Sequence, residues 1–93
     1  MLNLKKLLTK ILRLTLQTGT QQFSGNWTIG SSGYVQLGLL PTPNGIVYSA
    51  IVSTWGSNTG AFSLVLSGNT AYLVGNSGTV VANPTIKYLY YVV

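Results

Sequence analysis

The chain has 93 residues, enough for one small domain with a modest hydrophobic core. It contains no Asp, Glu, His or Cys, which supply most general bases, metal ligands and disulfides, so the composition argues against an enzyme, a metal site or a bound cofactor. Four of the five cations lie within residues 1–13 and the fifth is Lys87, so the formal charge of +5 predicts no nucleic-acid-binding face on the rest of the chain.

The balance of apolar and charged residues points to association between chains. Hydrophobic residues make up 46% of the sequence and charged residues only 5%, which is far less charge than a soluble monomer usually carries on its surface. Disulfides and metal ions are not available to stabilise so small a scaffold, and association is the remaining common means. We therefore expect part of the apolar surface to be buried in a homo-oligomer.

Residues 1–17 are predicted to form an amphipathic helix. The segment is rich in leucine, contains no Gly or Pro, and has Leu4, Leu7, Ile11 and Leu14 at the a and d spacing of two heptads. Its leucines cover about half of the helix circumference, which suits a three-helix bundle better than a two-stranded coil. The segment is predicted to be an oligomerisation stalk of a homotrimer.

The cations of the same segment allow a second interpretation. Lys6, Lys10 and Arg13 fall on one strip of the helix, and a helix with leucines on one side and cations on the other can lie on a lipid surface. A membrane-associated cationic module and packing against a larger assembly are therefore the alternatives to a bundle. No secretion signal or transmembrane segment is predicted, because Lys10 and Arg13 interrupt the apolar run and it stays shorter than about 18 residues.

From residue 18 onward the sequence changes to Gly, Ser, Thr, Asn, Val and Tyr. Residues 18–25 are predicted to be a linker and residues 26–93 an all-β domain, a sandwich or a barrel, with antiparallel neighbouring strands. Turn signals separate the short β-prone segments, and Gly68 with Asn69 predicts a tight hairpin. The expected strands are 26–29, 34–40, 46–55, 61–67, 71–74, 79–82 and 85–93.

Alternation within these segments predicts which side chains are buried. Phe62, Leu64 and Leu66 share one face of their strand, and Val35, Leu37 and Leu39 share one face of theirs. The last segment is apolar or aromatic on both faces. Such a strand is expected at the centre of a sheet or at an interface.

The aromatic residues supply the candidate binding positions. A carbohydrate site needs an aromatic platform for the apolar face of the sugar, with amide and hydroxyl groups at its rim. Trp55, Asn58, Tyr72 and Tyr90 are the candidate glycan contacts; the alternatives are that Trp55 closes the core and that the tyrosines lie between subunits. Trp27 is predicted in the core. Calcium-mediated sugar binding is excluded because the sequence has no acidic oxygen ligands.

Three stretches of sequence carry a resemblance to a known class of protein. They are MLNLKKLLTKIL at residues 1–12, GYVQL at 33–37 and KYLYY at 87–91. With the order of strands between them, they resemble small tail-fibre or minor tail proteins, the receptor-binding proteins of phages and prophages of Gram-positive gut bacteria. The resemblance covers essentially the whole chain.

This resemblance implies a homotrimer in the virion tail. The N-terminal helix would contact other tail proteins, and residues 26–93 would form jelly-roll-like antiparallel β-sandwich heads that attach to a host-surface carbohydrate. Fibres of this kind usually carry a longer shaft, so a structural adaptor or cap of the virion is the alternative function.

Overall fold

The computed structural model describes residues 16–92, which form an all-β structure with no helix in that range. Its strands pair in antiparallel fashion, as predicted. The predicted helical positions Leu4, Leu7, Ile11 and Leu14 lie outside the described residues. The strands are β1 (Leu16–Gln22), β2 (Asn26–Thr28), β3 (Tyr34–Leu39), β4 (Gly45–Thr54), β5 (Phe62–Ser67), β6 (Thr70–Gly75), β7 (Val80–Ala82) and β8 (Thr85–Val92).

The strands form two three-stranded sheets and one two-stranded sheet. The three-stranded sheets have the orders β1-β8-β4 and β3-β6-β5, and β2 pairs with β7. The strand rich in apolar residues on both faces is β8, and it lies between β1 and β4. The prediction of a central strand at the end of the chain is therefore confirmed.

Strand β1 corrects two predicted boundaries. Leu16 and Gln17 were expected in the helix and residues 18–22 in a linker, but all of them pair in register with β8, from Leu16 opposite Tyr91 to Gln22 opposite Thr85. A segment of Gln, Thr and Gly looks like a loop when its sequence is considered alone. It forms a strand here because it pairs with β8. Gly19 lies opposite Tyr88, and a Cβ atom there would overlap the Tyr88 ring, so the close approach requires glycine.

A β-bulge in β3 makes one burial prediction wrong. Gln36 pairs with Tyr72 and Gly38 pairs with Ala71, so Leu37 is an extra residue in the ladder, and Gly38 has a φ of 147°. The bulge reverses the alternation beyond it. As a result Leu39, predicted to be buried, is 69% exposed, while the next residue, Leu40, is in the core.

The predicted hairpin between β5 and β6 is confirmed. Ser67 pairs with Thr70, which leaves Gly68 and Asn69 as a two-residue loop. Gly68 has a φ of 59°, which glycine adopts without steric cost. The side chain of Asn69 reaches across to the start of β4 and accepts a hydrogen bond from the Val47 amide at 2.9 Å.

Buried side chains from all three sheets form one hydrophobic cluster. Trp27 packs against this cluster, as predicted, and its indole N–H donates to the carbonyl oxygen of Phe23 at 3.0 Å. The hydroxyl of Tyr88 donates to the carbonyl oxygen of Pro41. The cluster consists of Ile29, Leu37, Leu40, Ala71, Leu73, Val81, Ile86 and Tyr88.

Candidate ligand-binding surface

Trp55 follows the last residue of β4 and is 44% exposed, so the interpretation that it closes the core is wrong. Its indole N–H donates to Oδ1 of Asn58 at 2.8 Å, and Nδ2 of Asn58 donates to the carbonyl oxygen of Gly60 at 2.6 Å. The sequence analysis proposed Trp55 and Asn58 as contacts in one loop. The structure brings them into direct contact.

The loop that carries Asn58 is fixed to strand β7. Gly56 donates its amide to the carbonyl of Ala82 at 2.7 Å, and Thr59 donates its amide to the carbonyl of Val80 at 3.0 Å. The Thr59 hydroxyl also accepts from the Val80 amide at 2.8 Å. These bonds hold the loop at both ends, and the indole of Trp55 is therefore held in one orientation by a fixed partner.

A groove of about 510 Å³ lies beside Trp55, between β4 and the start of β5. Apolar walls come from Ile51, Phe62 and Leu64, and Asn58 contributes the amide at its rim. The Phe62 ring packs edge-to-face on Trp55, with ring centroids 5.2 Å apart and an interplanar angle of 87°. The groove, called here the Trp55 groove, combines an aromatic surface, apolar walls and a polar rim, which suits a neutral amphipathic ligand.

The two predicted tyrosine contacts do not lie at the Trp55 groove. Tyr72 is on β6, opposite Gln36 and Val65, and its ring meets Tyr34 edge-to-face at 5.9 Å. That arrangement belongs to the outer face of the β3-β6-β5 sheet. The sequence could not indicate this, because only the register of three strands determines which side chains adjoin Tyr72.

Tyr90 packs against the core cluster rather than at the groove. Tyr90 lies opposite Val47 at the start of β4, whereas Trp55 follows the end of that strand. The ring centroids of Tyr90 and Tyr88 are 6.0 Å apart. Burial raises the pKa of Tyr88 above its ordinary value, with the neighbouring Tyr90 adding to the increase. Tyr88 therefore stays neutral and able to donate to Pro41 at physiological pH.

A second depression, of about 460 Å³, lies on the outer face of the β1-β8-β4 sheet. Lys87 is one of its lining residues and lies opposite Thr20 on β1 and Ile51 on β4. We call it the Lys87 depression. The sequence analysis set Lys87 aside as an isolated cation, although its alternation along β8 was a signal that it faces outward. Its lining includes Thr18, Thr20, Ser49, Ile51, Lys87 and Leu89.

The described residues thus define an all-β protein of antiparallel sheets with two adjoining depressions on its surface. Comparison of the chain with protein-family models, with curated proteins and with solved structures gives no match. Over residues 16–92, no helix is long and apolar enough to cross a membrane.

Proposed function

We propose that the chain is a non-enzymatic attachment protein that binds a carbohydrate on a host cell surface, in the manner of a phage tail fibre. In this proposal the described strands make a jelly-roll-like β-sandwich head, and the protein acts as a homotrimer in the virion tail. The main observation behind the proposal is that Trp55 is half-exposed at the edge of an apolar groove and hydrogen-bonded to Asn58.

The bond between Trp55 and Asn58 supports binding because it reduces the entropy cost of association. A large aromatic side chain that is already fixed loses little rotamer freedom when a sugar ring stacks on it. The apolar face of a sugar would cover the exposed indole, while its hydroxyl groups would reach the polar rim of the groove. A shallow site of this kind binds weakly by itself, and three copies on one trimer would raise the apparent affinity through effective concentration.

Replacement of Trp55 by alanine should lower cell-surface binding at least tenfold, which corresponds to about 1.4 kcal/mol. The melting temperature should change little, because the side chain lies outside the core cluster. Binding is measured with labelled protein on intact host cells, beside thermal unfolding of the same sample. Tyr48, which is exposed on β4 away from the Trp55 groove, provides the matched control: Tyr48→Ala should bind like the wild type. Equal binding by Trp55→Ala and the wild type would rule out this groove.

Exposed apolar side chains support the homotrimer. Leu16, Tyr91 and Ile46 form one cross-strand row on the outer face of the β1-β8-β4 sheet, and Leu16 and Ile46 are exposed. The row lies where the chain enters β1, so it adjoins the predicted stalk. Contact between copies at this row would continue into residues 1–15, which in the proposal also contact other tail proteins.

Light scattering should give a solution mass three times the 9.9 kDa of one chain. Leu16→Lys combined with Ile46→Lys should shift the protein toward the monomer, because the variant would bring several cations together where the copies meet. Val65→Lys, on the exposed face of β5, is the matched control and should keep the trimer mass. A monomeric wild-type protein at both low and high salt would contradict self-association, and would leave the Trp55 groove to be judged by its own experiment.

A further inference from the structure

Lys87 lies in a concave and mostly uncharged setting. It is exposed on β8, between Thr20 of β1 and Ile51 of β4, and the adjoining cross-strand row brings Thr18 and Ser49 beside it. Thr18, Thr20, Ser49 and Lys87 all line the Lys87 depression. Lysine offers three donors and hydroxyls both donate and accept, so the set suits an anionic group that also has hydroxyl neighbours.

No acidic side chain in the sequence can form an ion pair with Lys87. Lys87 is the only charged side chain within residues 16–92, and the whole chain has no Asp or Glu. A second copy of this chain therefore brings no side-chain carboxylate to it either. Charge complementarity thus favours an external ligand that supplies the negative charge.

The Lys87 depression and the Trp55 groove share part of their lining. Ala50 and Ile51 on β4 belong to both, so the two depressions adjoin at that strand. Trp55 is four residues beyond Ile51 along the chain, which is on the order of 12 Å in an extended strand. One sugar ring cannot reach from the indole to the ammonium group, whereas a chain of several rings can.

We propose that the two depressions form one extended site for an acidic oligosaccharide. One ring stacks on Trp55, and a carboxylate, sulfate or phosphate group farther along the same chain binds at Lys87. This inference rests on the proposed carbohydrate-binding function and specifies the ligand class. An acidic peptide would match Lys87 equally well, but the sugar-binding combination of indole, amide and hydroxyl groups along the surface favours an oligosaccharide.

The test uses the full-length protein and a panel of oligosaccharides of four or more rings that bear carboxylate, sulfate or phosphate groups. Each acidic compound is paired with a neutral partner of the same backbone, such as the methyl ester of a uronic-acid oligomer. NMR titration follows the indole N–H of Trp55 and the backbone amide of Lys87. At least one acidic compound should bind about fivefold tighter than its neutral partner at low salt, as expected for one exposed charge pair.

Two variants of Lys87 separate charge from shape. Lys87→Gln should remove the fivefold preference, and Lys87→Arg should retain it. At about 1 M salt the preference should disappear, since the Debye length falls to about 3 Å. Trp55→Ala should weaken binding of acidic and neutral compounds alike.

The outcomes distinguish this inference from the function on which it rests. Equal affinity for every acidic and neutral pair, with Trp55→Ala still weakening both, would overturn the acidic specificity and keep the carbohydrate site. If binding of acidic compounds depends on Lys87 but is unchanged in Trp55→Ala, the extended site is overturned. An acidic peptide that competes with the acidic oligosaccharide at equal affinity would overturn it as well. If no compound in the panel shifts the NMR signal of the Trp55 indole or of the Lys87 amide, both the inference and the proposed carbohydrate site fail.

Discussion

Ile86→Ala should lower the free energy of unfolding by about 3 to 4 kcal/mol, because it removes a fully buried side chain and leaves a cavity. Ile86 is 0% exposed and lies on β8, opposite Gln21 of β1 and Val52 of β4. Strands pair with β8 on both sides, so the surroundings have little freedom to collapse into the cavity. A domain of this size is usually stable by about 5 to 15 kcal/mol, and the loss is therefore a large share of the total.

Ile51→Ala is the matched control for this prediction. Ile51 lies on β4, next in sequence to the Val52 that pairs with Ile86, yet it is 60% exposed. Its replacement should change the free energy of unfolding by no more than about 0.5 kcal/mol. Urea unfolding of the wild type and both variants measures the difference, at equal protein concentration because self-association adds to apparent stability. Similar losses for the two variants would mean that the core does not centre on β8.

The strands of the head could be predicted from the sequence because their signals are local. Turn residues mark most of the strand ends, and the Gly68 and Asn69 pair identifies a hairpin by its own conformational preferences. The central position of β8 was also predictable, since its segment is apolar or aromatic on both faces apart from Thr85 and Lys87. Trp55 and Asn58 were predicted together because only two residues separate them in one loop.

Features that depend on distant pairing could not be predicted. The bulge at Leu37 is visible only when β3 is aligned with β6, and it determines that Leu39 faces solvent. Strand β1 has few β-prone residues and forms because β8 offers it a partner. The same applies to the candidate site: the meeting of Lys87 with Ile51 is a property of register, so the Lys87 depression has no signature in either strand alone.

Asn69→Ala should lower the free energy of unfolding by about 2 to 3 kcal/mol, because three hydrogen bonds are lost and a backbone amide loses its partner. Oδ1 of Asn69 accepts from the Val47 amide at 2.9 Å, and Nδ2 donates to the Thr42 hydroxyl at 3.0 Å and the Gly45 carbonyl at 3.1 Å. Asn69 is in the β5–β6 hairpin, whereas Val47 is in β4. One side chain therefore links the two three-stranded sheets.

The matched control is Asn76→Ala, since Asn76 is an exposed loop asparagine between β6 and β7. It should cost no more than about 0.5 kcal/mol. Hydrogen exchange provides a second measurement: the Val47 amide should lose protection locally in Asn69→Ala, while amides in the middle of β8 should exchange faster only by the factor that the loss of global stability sets. If the Val47 amide keeps its protection and both asparagine variants are equally stable, the sheets are joined by apolar packing alone. The hairpin would then be a surface turn that affects neither the start of β4 nor the orientation of that strand, which ends just before Trp55.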